Sequence, residues 1–168
     1  MAIAAGCSDT GNRSSAVEES APAQQAPLPD GLIVAQAPAG AMSIKQIKAE
    51  DHTGDEVTIT GRIGGREEPF VAERAMFTMT DLTLPTCEAP ADSCPTPWDS
   101  CCELPEDIMA NMISVQVADE SGAVLKHGLQ GESGLDPLAT LTIRGTVTQQ
   151  DADVLVLTAK EIYVHPAG

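Results

Sequence analysis

Aromatic residues are nearly absent from this 168-residue chain. There are one Trp, one Tyr and two Phe, namely Trp98, Tyr163, Phe70 and Phe77. A core must therefore be built from Val, Ile, Leu, Met and Ala, and hydrophobic residues at 42% suffice for one. Basic residues are also scarce: 9 Lys and Arg face 25 acids, a formal charge of -16. Such an excess repels phosphate backbones and anionic membranes and favours solubility, cationic partners or metal ions. After the first residues, no apolar run is long enough to span a bilayer. Cys-x-x-Cys, a nucleophile motif around serine and a phosphate-binding glycine loop are all missing. His52, His127 and His165 are scattered, none with a ligand partner at short spacing, and are expected to be surface residues. No catalytic residues and no cofactor are expected, so the chain is not expected to be an enzyme.

What is present begins with an alternation. Val57, Ile59, Gly61 and Ile63 alternate with Thr58, Thr60 and Arg62, and the pattern returns at residues 141–147 around Gly145. Both runs predict half-buried strands. A glycine inside a strand marks a bulge or a sharp coil, because only a residue without Cβ lets the backbone bend so tightly. Further strands are predicted over about 75–82, 113–118 and 154–164. A short helix over 43–49 is capped by Ser43, with Ile44 and Ile47 on one face. Residues 123–138 are glycine-rich, and Ala123, Val124 and Leu125 fit a hairpin or a short helix.

Five strands in this order, with an insertion between the third and fourth, resemble the OB-fold. The likeness rests on Val57, Thr58, Ile59 and Gly61 in the first strand, the matching fourth strand, and Ala159, Ile162 and Val164 at the end. It covers roughly residues 43–165 and implies an all-β, five-stranded OB-like Greek-key barrel with a short N-terminal helix and a long Cys-rich loop between strands 2 and 3. Many OB-folds bind oligonucleotides through basic grooves and stacking aromatics. Arg62 and Arg144 on neighbouring strands, with Arg66 and Arg74 near in sequence, make only a small cationic spot, which Glu67 and Glu68 could neutralise. No nucleic acid is therefore expected, though an oligonucleotide-binding domain stands as a further alternative.

The start of the chain points to location. Ala4, Ala5, Gly6 and Cys7, followed by Ser8 and Asp9, resemble the lipobox of bacterial lipoproteins, which implies lipidation at Cys7. Residues 1–7 then read as the remnant of a signal, since the basic and apolar regions of a full leader do not precede the box. Residues 8–42, rich in Ser, Ala, Pro, Gln and Gly, read as a disordered tether; 31–35 is a brief apolar exception that could lie against the domain. The barrel domain is expected over 43–168. These features imply a monomer outside the cytoplasm, in the periplasm or on the outer membrane, meeting the membrane only through its lipid.

The loop over 83–106 carries five prolines and Cys87, Cys94, Cys101 and Cys102, spaced by six, six and zero residues. From Asp81 to Asp107 there are seven acids and no Lys or Arg. With Cys7 lipidated, four thiols remain, which outside the cytoplasm argues for two disulfides. Joining adjacent Cys101 and Cys102 is strained. That leaves 87–101 with 94–102, or 87–102 with 94–101. A metal site is the rival: the spacing does not match a zinc knuckle, but copper(I) is less demanding, and Met76, Met79, Met109 and Met112 are soft donors nearby. A thiol-redox pair is a third reading. Methionine also simply fills cores. Trp98 is a candidate contact for a partner, with loop packing as the competing role. The functional expectation is a non-enzymatic binding or structural module at the envelope, its partner an unidentified envelope protein or small ligand. Trp98, Arg62 and Arg144 are the candidate contacts, and metal binding or thiol redox chemistry is the alternative.

Overall fold

A computed structural model of the chain describes residues 25–87 and 94–167. The lipobox with Cys7, residues 8–24 of the tether, and Glu88 and Asp92 of the loop lie outside them. The described elements are β1 (Met42–Ser43), α1 (Ile44–Lys48), β2 (Glu56–Ile63), β3 (Met76–Thr80), α2 (Pro105–Ala110), β4 (Met112–Gln116), β5 (Thr140–Gln150) and β6 (Leu155–Val164). Strands β2 to β6 are the five expected from the sequence.

Hydrogen bonding runs β2-β3-β4-β6-β5, and β5 returns to pair with β2, which closes the barrel. All these pairs are antiparallel except β4 with β6. This closed five-stranded barrel is compatible with the OB-like arrangement that the resemblance implies. Alternation sends Ile59, Ile63, Phe77, Met79, Ile113, Val115, Leu141, Ile143 and Leu157 inward, each 2% exposed or less. Burying one such side chain stabilises by about 1.5–3 kcal/mol.

The two glycines do different work. Gly61 lies opposite Leu141 on the β2–β5 seam. A Cβ there would stand 2.7 Å from the Thr80 carbonyl oxygen and 2.9 Å from Ile44 Cδ1. Gly145, opposite Val57, sits where the β5–β6 register shifts between Arg144 and Gly145. It lets β5 bend tightly over β6, as a bulge requires.

Helix α1 closes one end of the barrel. Ile44 and Ile47 are wholly buried. Ser43 Oγ accepts from the Gln46 N–H at 3.2 Å, and Gln46 Oε1 accepts from the Ser43 N–H at 2.8 Å, a complete capping box. The carboxylate of Asp81, 1% exposed, takes the Lys45 N–H at 3.0 Å on Oδ2. Its Oδ1 takes the Thr83 N–H at 2.9 Å and hydroxyl at 2.7 Å. Burial pushes the Asp81 carboxyl up, but those donors outweigh it and hold the group below its ordinary value. A depressed folded value means stability that is present above the unfolded pKa of about 3.9 and lost as pH falls through the folded one. Asp81→Asn is expected to lose about 1–3 kcal/mol at pH 7. The gap between variant and parent should close below about pH 4, which urea titrations across pH will check.

Residues 25–42, assigned to the tether by composition, run along the barrel instead. Leu32 is 2% exposed, Ile33 bridges to Ile162, and the Val34 N–H donates to the Ile162 carbonyl at 3.0 Å. The apolar exception at 31–35 is what anchors them. Ala118 bridges Val124, so the ambiguous segment after β4 begins as a hairpin.

Candidate metal centre

The connection from β3 to β4, residues 81–111, is the longest between the barrel strands. Its root is tied down at several points. Asp81 grips α1, and Arg62 Nη2 donates to the Leu84 carbonyl at 2.9 Å. Ser100 Oγ donates to the Pro85 carbonyl at 2.8 Å. On the far side, α2 begins at Pro105, where a missing N–H costs nothing. Lys48 Nζ donates to the Met109 carbonyl at 2.6 Å and the Met112 carbonyl at 3.3 Å, satisfying groups that a helix end leaves free.

Trp98 serves as packing. Its carbonyl accepts the Gly65 N–H at 2.8 Å, and its indole N–H donates to the Glu67 carbonyl at 2.9 Å. A Cβ on Gly64 would collide with that Trp98 carbonyl. The half-buried indole also lines a depression with Glu68, Phe70 and Gln130.

Between these anchors the chain reverses. The Cys87 N–H donates to the Pro97 carbonyl at 3.0 Å. Ser100 adopts φ 55, a left-handed conformation held by its hydroxyl bond to Pro85. That reversal folds Cys101 and Cys102 back onto Cys87. The Cys87 and Cys101 sulfurs are 3.3 Å apart, Cys87 and Cys102 3.7 Å, and Cys94 and Cys101 3.8 Å. Cys87 and Cys94 are 7% and 9% exposed, while Cys101 and Cys102 face solvent. No pair of these sulfurs lies at the roughly 2.05 Å of a disulfide.

Asp99 joins the group. Its Oδ2 accepts from Thr96 Oγ1 at 2.8 Å and its Oδ1 from the Cys101 N–H at 2.9 Å. Cys87 Sγ lies 3.7 Å from the same Oδ1. Burial pushes the Cys87 thiol up, but hydrogen bonds from Cys101, from the Cys102 N–H and from Cys94 prevail, and the group sits below its ordinary value. The Cys101 thiol is pushed up, chiefly by its bond to Cys87, and Cys102 likewise. Burial also pushes Asp99 up, but the Cys101 N–H and the Thr96 hydroxyl hold it low.

Among the described residues, Cys87, Cys94, Asp99 and Cys101 form the one group of Cys, His, Asp or Glu side chains placed to share a single ion. Three thiolates and one carboxylate fit a borderline metal. The methionines named with them do not converge there. Met79 is wholly buried in the barrel, and Met112 packs beneath Gly65. The cationic spot dissolves too. Arg144 pairs with Glu161 rather than with Glu67 or Glu68, and Arg62 turns to the loop backbone. The histidines have separate partners: His52 meets Asp55 at 3.4 Å, His127 the Ala26 carbonyl at 2.8 Å, and His165 the Thr142 hydroxyl at 2.9 Å.

Sequence reasoning missed Thr96 and Asp99. Their signal was local: an aspartate two residues before a cysteine, in Asp99-Ser100-Cys101, commonly accepts that residue's N–H. Comparison with protein-family models, curated proteins and solved structures finds no match to this chain.

Proposed function

We propose that the chain is a non-enzymatic module of the bacterial cell envelope that binds one thiophilic metal ion in the loop between β3 and β4. One observation carries this reading. Ligands at the zinc–sulfur distance of about 2.3 Å define a tetrahedron with edges of about 3.8 Å. The sulfur separations here are 3.3, 3.7 and 3.8 Å. Thiols merely packed beside one another have no reason to converge from both ends of a proline-rich loop. The loop has few core-forming residues, so a shared ion would supply the order that packing does not.

The envelope setting rests on the lipobox-like Ala4, Ala5, Gly6 and Cys7. Lipid at Cys7 would be the sole membrane contact of a monomer. The acidic body, with Arg144 paired and Arg62 engaged, speaks against oligonucleotide binding. An envelope protein partner remains part of the proposal, reached through the loop and not through Trp98 alone.

A second reading has its own support. Cys87 and Cys101 are close enough to bridge with a small shift, and so are Cys94 and Cys101. Outside the cytoplasm, oxidation to two disulfides competes with metal for the same thiolates. Intact mass and metal content of the purified protein separate the two. One zinc or copper per chain, with the four loop thiols titratable after denaturation in addition to any free Cys7, is the expected result. A mass four hydrogens lower than the reduced chain, with no metal taken up after reduction, would replace metal binding with disulfides.

A further inference from the structure

The sulfurs of Cys87, Cys94 and Cys101 form one set of four with an Asp99 oxygen, and the Cys102 sulfur lies beside it, 3.7 Å from Cys87. Resting on the metal-binding reading above, we propose that these three thiolates hold a zinc(II) ion firmly, while its fourth position exchanges between the Cys102 thiolate and the Asp99 carboxylate. Cys102 is then the ligand that lets go, and Asp99 keeps the ion in the protein when it does.

The geometry for Asp99 is specific. One of its oxygens and the three sulfurs all lie within 4.8 Å of one another. For zinc at about 2.3 Å from sulfur and about 2.1 Å from oxygen, the tetrahedral sulfur–oxygen edge is about 3.6 Å. Cys87 Sγ and Asp99 Oδ1 are 3.7 Å apart. The carboxylate is also held ready. Thr96 fixes Oδ2 and the Cys101 N–H fixes one side of Oδ1. A carboxylate has about four lone-pair sites, so Oδ1 keeps one for an ion among the sulfurs. Held this way, Asp99 loses little freedom on ligation.

Cys102 differs from the other three in standing outside the four-donor group that includes Asp99; like Cys101 it is exposed. Its sulfur meets the cluster at Cys87, 3.7 Å away. Exchange is a ligand substitution without electron transfer. The zinc–sulfur bond to Cys102 breaks, a zinc–oxygen bond to Asp99 forms, and the freed thiolate takes a proton from water. An exposed thiolate that leaves while the ion stays bound gives another thiol- or carboxylate-bearing molecule access to the metal.

The same geometry selects the ion. Copper(I) is served by two or three thiolates and gains little from a hard carboxylate oxygen, whereas zinc(II) accepts sulfur and oxygen together in one tetrahedron. Dependence on Asp99 is thus a mark of zinc.

The test uses the full chain, reduced, with cobalt(II) as the spectroscopic probe and zinc(II) as competitor. The variants are Cys102→Ser, Asp99→Asn and the double variant, with circular dichroism reporting an intact barrel. Cys102→Ser is expected to bind one cobalt per chain. Its thiolate-to-cobalt absorption should fall by about a quarter, as one of four sulfur ligands is lost. Asp99→Asn should keep the full four-sulfur band, with zinc affinity down about tenfold, as for a lost outer contact. The double variant should bind about 100-fold more weakly than Cys102→Ser, because neither fourth ligand remains. A Cys102→Ser protein that binds no cobalt would overturn the exchange, and so would a double variant no weaker than Cys102→Ser. Copper(I) binding unaffected by Asp99→Asn, with zinc ignored, would overturn the zinc assignment and leave metal binding intact. A parent chain that takes up none of these ions would end both readings.

Discussion

Gly145→Ala is expected to lower stability by about 3 kcal/mol, near the top of the usual range for overpacking. A Cβ at this position would collide with the Thr158 carbonyl oxygen, with Thr158 C and Ala159 Cα both at 3.0 Å. All three neighbours are backbone atoms of β6, so no rotamer change relieves the clash. Either the β5–β6 ladder opens or the bulge moves. Gly61→Ala should cost less. Two of its three close neighbours, Met79 Cε at 2.5 Å and Ile44 Cδ1 at 2.9 Å, are ends of flexible side chains. Gly122→Ala is the control: nothing lies within 4 Å, and only the φ of +85 resists, so about 1–2 kcal/mol is expected. Urea titrations will rank the three, with unchanged m-values showing that the folded and unfolded states stay comparable. A Gly145→Ala protein within about 0.5 kcal/mol of the parent, the scatter of ordinary surface changes, would mean that the bulge is not what shapes the barrel.

Stripping the metal from the loaded protein is expected to lower Tm by about 8–16 °C. An ion present at about 1,000 times its Kd adds about 4.1 kcal/mol to the folded state. In a chain of this length each kcal/mol moves Tm by about 2–4 °C. Hydrogen exchange should localise the change. Residues 81–87 and 94–111 should lose protection first. The bonds of Asp81 to Lys45 and of Lys48 to Met109 carry part of the loss to α1. Strand β5, which pairs with neither β3 nor β4, should keep its protection until global unfolding. Cys87→Ser should melt like the stripped parent and ignore further chelator. Identical melting of loaded and stripped protein would show that the loop is ordered without the ion.

The barrel was legible because its signals are periodic and local. Alternation placed all five strands, and glycine at 61 and 145 marked the two that coil and pair. Ser43 with Ile44 and Ile47 foretold both the cap and the buried face of α1. Three things resisted. The attachment of residues 25–42 hangs on Leu32 and Ile33, and an apolar run at 31–35 marks a contact without showing how far it holds its neighbours to the barrel. Arg144 finds Glu161 across a strand pair that is set by register, not by nearness in sequence. The sulfur spacing of six, six and zero fits no familiar ligand pattern, since the convergence depends on the left-handed turn at Ser100, a residue type that gives no warning of it. Asp99 entered the site through the same turn.

The parallel pairing of β4 with β6, and the antiparallel pairing of β2 with β5 across the whole domain, bear on how quickly this chain can find its structure. Glu56 stands opposite Thr146, so the seam cannot form until positions about ninety residues apart have met, and such topologies fold slowly. The β3–β4 hairpin must meanwhile close around an excursion of about thirty residues. An ion that drew Cys87 and Cys102 together early would shorten that excursion by about half, worth about 0.5 kcal/mol of closure entropy. Capture of metal by the nascent loop would then quicken the hairpin about twofold, ahead of the seam that completes the barrel.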